Sequence, residues 1–169
     1  IGWGLHGIKP ERRPQVHTVI LAGSVLKSSF PWDDLVGKRI ERVVNDCGTR
    51  DKILLLSQFL VLFTGMAGKV GCAGMTGDRL RNRYFDFGHS GYFLQNGKPD
   101  DSFMRQHWLP LIVSDASVAL VDERKDGVFT GPVAFLANNA EPLKLTFYIT
   151  PLLLGILGIY GLYVEAEEQ

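Results

Sequence analysis

An uncharged stretch of 20 residues near the C-terminus, LTFYITPLLLGILGIYGLYV at 145–164, constrains the fold more than any other part of the chain. A helix needs about 20 apolar residues to cross a bilayer, and helices buried in soluble cores have shorter apolar runs. The tyrosines of the stretch lie towards its two ends, as aromatic residues do at membrane interfaces. The stretch therefore predicts a transmembrane helix, assigned to 143–164, over the alternative of a buried core helix.

The residues that flank this stretch indicate an orientation. Lys144 precedes it, and the acidic sequence EAEEQ follows it. Because Lys and Arg are enriched on the cytoplasmic side of membrane helices, we expect the globular part of the protein to be cytoplasmic. Pro151 lies inside the stretch, where membrane helices tolerate it. The sequence therefore predicts a membrane protein whose folded part faces the cytoplasm.

The rest of the chain has the composition of an ordinary globular domain. The 169 residues are 46% hydrophobic, which suits one domain with its own core. Because 18 basic residues balance 18 acidic ones, there is no electrostatic basis for nucleic-acid binding. Cys47 and Cys72 are too few for a disulfide framework and favour a reducing compartment. His6 and His17 lie in no pattern of metal ligands, so the sequence predicts neither a metal nor a cofactor.

The sequence Gly-His-Ser-Gly at 88–91 raises the question whether Ser90 is a hydrolase nucleophile. The nucleophile elbow requires Gly-x-Ser-x-Gly at a turn between a strand and a helix. Tyr92 stands where the second glycine should be, and the pattern occurs nowhere else in the chain. The residues that follow contain an Asn-Gly pair and predict a loop, not a helix. We therefore interpret Ser90 as a loop residue beside a functional His89.

Two strand-like segments bring an acid and a base into similar positions. KRIERVVN at 38–45 has the β-branched and apolar positions of a strand, and Asp51 follows it after a short turn. The next segment, 51–63, is apolar nearly all round, which predicts a buried helix. RLRNRYFDF at 79–87 predicts a second strand, which ends just before His89. An acid and a histidine on loops that follow strands fit two members of a catalytic triad.

Three alternatives compete with this assignment. Asp46 lies closer to the end of its strand than Asp51 and is the other candidate acid. Asp51 could instead cap the helix that follows, and we expect one carboxylate not to serve both roles. Cys47 could pair with His89 as a thiol nucleophile, although a small buried cysteine beside a strand end is the more ordinary interpretation.

Three further segments complete the chain. The glycine-rich sequence at 65–77 predicts a flexible loop, either as a wall of the active site or for close packing. The segment 99–112 predicts a helix, in which we expect His107 and Trp108 to be packing residues. The segment 114–142 mixes charged residues, Gly, Pro and Asn, and predicts a linker that leads to the membrane helix.

The chain resembles the C-terminal half of α/β-hydrolase-fold serine hydrolases, in particular bacterial lipase-like and esterase-like enzymes. The resemblance covers about residues 1–113 and rests on three patterns: GSVL…FPW, N-x-x-G-T-x-D and GHS-x-YF. It implies an α/β fold that contains the last strands of a mostly parallel sheet with flanking helices. It also implies that Asp51 is the acid and His89 the base of a catalytic triad.

The resemblance implies that the serine nucleophile and the oxyanion hole lie upstream of Ile1, in a longer protein of which this chain is a part. The substrate would then be a small-molecule or lipid ester, and the 169 residues alone would be inactive. The alternative is a non-catalytic, membrane-associated interaction or regulatory module on a degenerate hydrolase fold. The sequence leaves the oligomeric state open.

Overall fold

A computed structural model describes residues 16–74, 77–114, 116–125 and 141–167. Its centre is a three-stranded sheet with the order β1-β2-β3, formed by β1 (Val16–Ala22), β2 (Ile40–Gly48) and β3 (Leu80–Phe85). Both pairings are parallel. The predicted α/β class and the parallel sheet are therefore confirmed, and β2 and β3 coincide within a few residues with the predicted strands.

The central strand β2 is buried on both faces, since all its residues except Glu41 are buried. A parallel strand covered on both faces of its sheet has no solvent face, so the polar residues Arg42, Asn45 and Asp46 are buried too. Val43 belongs to the core on one side of the sheet and Val44 to the core on the other. The first core includes Val19, Phe30, Trp32, Leu35, Ile40, Ala67, Cys72 and Leu80, and the second includes Leu111 and Val118.

Two helices connect β2 to β3: α1 (Lys52–Leu60) and the single turn α2 (Ala67–Val70). The expectation that the apolar helix after Asp51 is buried all round is wrong. Leu54 is buried, whereas Ile53, Leu56 and Leu60 are exposed. The physical reason is that α1 meets the rest of the domain with one side only, and apolar composition does not reveal which sides of a helix have neighbours.

A short hairpin and an irregular helix follow the loop after β3. The hairpin is formed by β4 (Leu94–Gln95) and β5 (Lys98–Pro99). The helix contains a π-helical segment, Met104–Trp108, and continues as α3 (Leu109–Val113). The helix predicted at 99–112 is therefore present, with its middle turns wider than an α-helix.

Part of the segment predicted as a linker, residues 116–125, lies along the free edge of β3. The Tyr84 amide donates a hydrogen bond to the Val121 carbonyl, and the Glu123 amide donates one to the Tyr84 carbonyl, both at 2.9 Å. Arg42 and Arg81 donate hydrogen bonds to the carbonyls of Ala116 and Val118, both at 2.8 Å. Residues 126–140 of the predicted linker and residues 1–15 lie outside the described residues.

The last element is a single long helix, α4 (Glu141–Glu167), with Pro151 inside it. Its section Lys144–Val164 has a mean hydropathy of 1.8, and every residue from Leu145 to Tyr163 is exposed. Within the described ranges, α4 is the one helix long and apolar enough to cross a membrane. A helix is therefore present where the transmembrane helix is predicted, and its section Leu145–Tyr163 is exposed instead of buried in a core. That it crosses a membrane stays a prediction.

Candidate functional site

Asp51 and His89 lie together at the carboxyl edge of the sheet. Asp51 follows β2, and His89 lies in the turn four residues beyond β3, the neighbouring parallel strand. The His89 Nδ1 is 2.8 Å from the Asp51 Oδ2. Parallel strands direct their carboxyl ends to the same edge of a sheet, which is where α/β folds place their ligands. The structure therefore brings the two predicted residues into hydrogen-bonding contact.

The two side chains of this pair differ in their exposure. The Asp51 side chain is fully buried, whereas the His89 side chain is 48% exposed. A carboxylate can only accept a hydrogen bond, so Nδ1 is the donor and carries the proton. The Nε2 of the neutral ring is then an acceptor and is available to take a proton from a nucleophile or a water molecule.

The second carboxylate oxygen of Asp51 caps α1. The Leu54 amide donates a hydrogen bond to Oδ1 at 3.0 Å, and Asp51 has the extended backbone of a helix N-cap. One carboxylate therefore makes both contacts, which was not expected from the sequence. The two oxygens of a carboxylate accept in different directions, so the cap fixes the side chain in the orientation that meets His89.

Asp46, the alternative acid, has other partners. Its two oxygens accept hydrogen bonds from Arg83 Nε and Nη2, each at 2.7 Å, and Oδ2 also accepts one from Trp108 Nε1 at 2.8 Å. Asp46 and Arg83 are almost completely buried. Asp46 therefore joins β2, β3 and the helix after the hairpin, and Trp108 does more than the packing predicted for it. His107 packs against Phe85 and Phe103, as the sequence predicts.

Tyr92 is a positioning residue that the sequence did not reveal. Its hydroxyl donates a hydrogen bond to the Asp46 carbonyl at 2.8 Å and accepts one from the Gly23 amide at 3.3 Å. The side chain is buried, and burial raises its pKa, so the hydroxyl keeps its proton. Tyr92, in the segment after β3, thereby joins the loop after β1 to the backbone of β2. The one sequence signal for this role was Tyr92 itself, an aromatic residue three positions after His89, where the nucleophile-elbow pattern has its second glycine.

Gly23 closes one side of the pair. It has a φ of +58°, and a Cβ at this position would lie 3.2 Å from His89 Cε1 and 3.9 Å from Asp51 Oδ2. The left-handed conformation and the close contact both favour glycine. The loop after β1 therefore lies directly against the imidazole ring.

The glycine-rich segment 65–77 packs against the loop after β1. A Cβ at Gly68 would lie 2.1 Å from the Ser24 amide nitrogen, so only glycine lets α2 pack this closely against the β1 loop. The adjacent Lys69 is buried and donates a hydrogen bond to the Thr49 carbonyl at 2.5 Å, in the turn that carries Asp51. Burial lowers the pKa of Lys69, and the Asp51 charge partly opposes that shift. The expectation of a flexible loop is therefore wrong at Ala67–Val70, which form the closely packed turn α2. The close-packing interpretation holds, and a role as a wall of an active site stays a prediction.

The other candidate nucleophiles are poorly placed. Cys47 is buried with its Sγ 3.3 Å from the Ala67 carbonyl oxygen, and burial raises the pKa of its thiol, with Cys72 and Asp46 adding to the effect. The thiol is therefore neutral and engaged away from His89. Ser90 lies in the exposed turn beside His89, where its carbonyl accepts hydrogen bonds from the amides of Phe93 and Leu94. This geometry agrees with a role in loop structure.

Comparison with known proteins gives no match to any protein-family model, curated protein or solved structure.

Proposed function

We propose that this chain supplies the acid and the histidine of a membrane-anchored serine hydrolase that acts on an ester or acyl substrate. The observation that carries the proposal is the 2.8 Å contact between His89 Nδ1 and Asp51 Oδ2, with the carboxylate buried and the ring half exposed. A buried acid that orients an accessible imidazole is the arrangement a triad requires. The hydrolase resemblance of 1–113 supports the same conclusion.

In the proposed mechanism, a serine from a segment upstream of these residues attacks the acyl carbonyl. His89 Nε2 takes the hydroxyl proton and then donates it to the leaving group. Asp51 holds the ring in the tautomer with the proton on Nδ1 and stabilises the imidazolium that forms. Gly23 and Tyr92 keep the loops around the ring in place. No metal or cofactor takes part in this route.

The anchoring part of the proposal assigns α4 to the membrane and the globular part to the cytoplasm. The exposed apolar side chains along Lys144–Val164 support the first assignment, and Lys144 at the near end supports the second. Alkaline carbonate should leave the natural protein in the membrane fraction. Added protease should digest the globular part only after the cytoplasmic face is made accessible.

The experiment that tests the hydrolase proposal is active-site labelling. A fluorophosphonate probe should label the natural protein, in its native membranes, at a serine outside these 169 residues. His89→Ala should abolish labelling, and Ser90→Ala should leave it unchanged. Labelling of Ser90, or equal labelling of the His89→Ala variant, would contradict the proposal.

The non-catalytic module is the second candidate, and the capping role of Asp51 is the observation that favours it. A carboxylate that holds both a helix N-terminus and a histidine could have a purely structural role. In that case the natural protein stays unlabelled by the probe, and His89→Ala lowers the stability of the domain instead of an activity.

A further inference from the structure

One face of α1 and the turn after it carry exposed apolar side chains. Ile53, Leu56 and Leu60 recur at intervals of three and four residues, so they share one face of the helix. Val61 and Phe63 extend this face beyond the helix end. We name these five residues the α1 surface. Their exposed fractions are 53% for Ile53, 55% for Leu56, 48% for Leu60, 48% for Val61 and 74% for Phe63.

The α1 surface is joined to the beginning of α4. The Tyr148 hydroxyl donates a hydrogen bond to the Leu60 carbonyl, and Lys144 Nζ donates one to the Val61 carbonyl at 2.8 Å. The apolar section of α4 begins at Lys144. The C-terminal end of α1 therefore lies level with the first turns of the helix section that could cross a membrane.

Phe63 gives a second and independent observation. Its φ of +62° lies in the left-handed region, which costs a residue with a bulky side chain about 1–2 kcal/mol. The Phe63 amide donates a hydrogen bond to Glu141 Oε2 at 3.0 Å, which holds the turn in this shape. The result is a phenyl ring directed out of the domain beside the start of α4. Strain of this kind is a reason to look for a function of the residue.

We propose that the α1 surface rests on the headgroup region of the bilayer that α4 spans. The proposal depends on the membrane anchoring described under the proposed function and does not depend on hydrolysis. A helix with one apolar face lies in the interface with that face buried about 5–10 Å. The bilayer is the partner that this surface fits, because it would surround α4. At the level of Tyr148 it would also contact Leu60 and the ring of Phe63.

This contact would fix the height of the catalytic pair above the membrane. The nine residues of α1 span about 14 Å. Asp51, at the start of α1, therefore lies within about that distance of Leu60.

Fluorescence quenching by lipids tests the contact on the full chain. Phe63→Cys, Leu56→Cys, Gln95→Cys and Leu154→Cys are labelled with an environment-sensitive fluorophore and placed in phosphatidylcholine nanodiscs that hold one copy each. Gln95 is an exposed control on the β4–β5 hairpin, and Leu154 reports on insertion of α4. A quencher near the headgroups should reduce the signals at positions 63 and 56 at least about twofold and leave position 95 unchanged, while a deep quencher reduces the signal at 154.

Each other outcome contradicts the proposal for a distinct reason. In one outcome, the deep quencher reduces the fluorescence at position 154, but the headgroup quencher leaves positions 56 and 63 as unaffected as position 95. The protein is then anchored, and its α1 surface faces water. If the deep quencher leaves the fluorescence at position 154 unchanged, the anchoring is refuted, and the surface proposal with it. If the fluorophore at position 63 reports a buried environment only when two copies share one nanodisc, a second copy of the chain covers the α1 surface. Hydrolysis is not measured, so these results stand apart from the labelling experiment.

Discussion

Asp51 binds His89 with one carboxylate oxygen while its other oxygen holds the first turn of α1. The Oδ2 lies 2.8 Å from His89 Nδ1, and the Oδ1 accepts the hydrogen bond of the Leu54 amide at 3.0 Å. The helix N-terminus also carries a partial positive charge, which attracts the carboxylate. The capping contact therefore prepares Asp51 for its contact with the imidazole, and the two roles can be separated by substitution.

Asp51→Asn separates these roles in the natural protein. Asparagine is as good an N-cap as aspartate, so the free energy of unfolding should change by less than about 1 kcal/mol. If the Oδ1 of asparagine keeps the Leu54 hydrogen bond, its NH₂ group faces His89 Nδ1 and favours the wrong tautomer. Hydrolysis of a chromogenic acyl ester should then fall by about 10⁴-fold.

Asp51→Ala provides the comparison, because it removes both contacts. It should lose a similar amount of activity and in addition about 0.5–2 kcal/mol of stability in urea unfolding. Equal activity of the wild type and Asp51→Asn would exclude Asp51 as the acid of a triad.

Gly23→Ala should reduce activity through the position of His89. The new Cβ would lie 3.2 Å from Cε1, so the ring must move by a few tenths of an ångström or more. A displacement towards 1 Å can cost about 10²-fold in rate, and we expect a loss in kcat up to this size. Gly97→Ala is the matched control, because Gly97 also has a positive φ of +75°, but a Cβ there would meet no atom within 4 Å among the described residues. Both variants should lose stability, and only Gly23→Ala should lose activity.

The strands and the acid–histidine pair could be predicted from the sequence because both depend on local patterns. β2 and β3 carry β-branched and apolar residues, and residues that follow neighbouring parallel strands meet at one edge. The Arg83–Asp46–Trp108 contacts could not be predicted, since they depend on the register that places Asp46 opposite Arg83. The exposed face of α1 was missed for a different reason. Its residues are as apolar as those of a core helix, and only tertiary contacts show which side is covered.

Arg83→Met should destabilise the domain strongly. The variant leaves the buried Asp46 carboxylate with the Trp108 hydrogen bond but without its charged partner. Removing one partner of a buried pair typically costs about 3–5 kcal/mol. Arg50→Met is the control, because the Arg50 side chain in the ion pair with Asp86 is largely exposed. That pair should contribute less than about 1 kcal/mol to the free energy of unfolding. Urea unfolding of both variants measures the difference, and equal losses would contradict a structural role for the buried pair.

The two cysteines should resist alkylation in the folded protein. Burial raises the pKa of Cys72 to about 11, with the nearby Trp32 indole opposing the shift, and burial raises the pKa of Cys47 as well. At pH 8 only about one Cys72 thiol in a thousand would be ionised, and the thiolate is the reactive form. Iodoacetamide should therefore modify both residues only after denaturation. Rapid modification of Cys47 in the folded protein would reopen its assignment as a nucleophile.

His107 should make the domain less stable as the pH falls. Burial and the charge of Arg83 lower its pKa below 6.5, although Asp46 and Glu123 partly oppose the shift. The unfolded chain therefore binds a proton more readily than the folded one, and stability must decrease as the pH drops from 7 through 6.5 towards 5. His107→Phe removes this titration and keeps the aromatic contacts with Phe85 and Phe103. Urea unfolding at pH 7 and pH 5 should show a smaller decrease for the variant than for the wild type, and an unchanged decrease would assign the acid sensitivity to other groups.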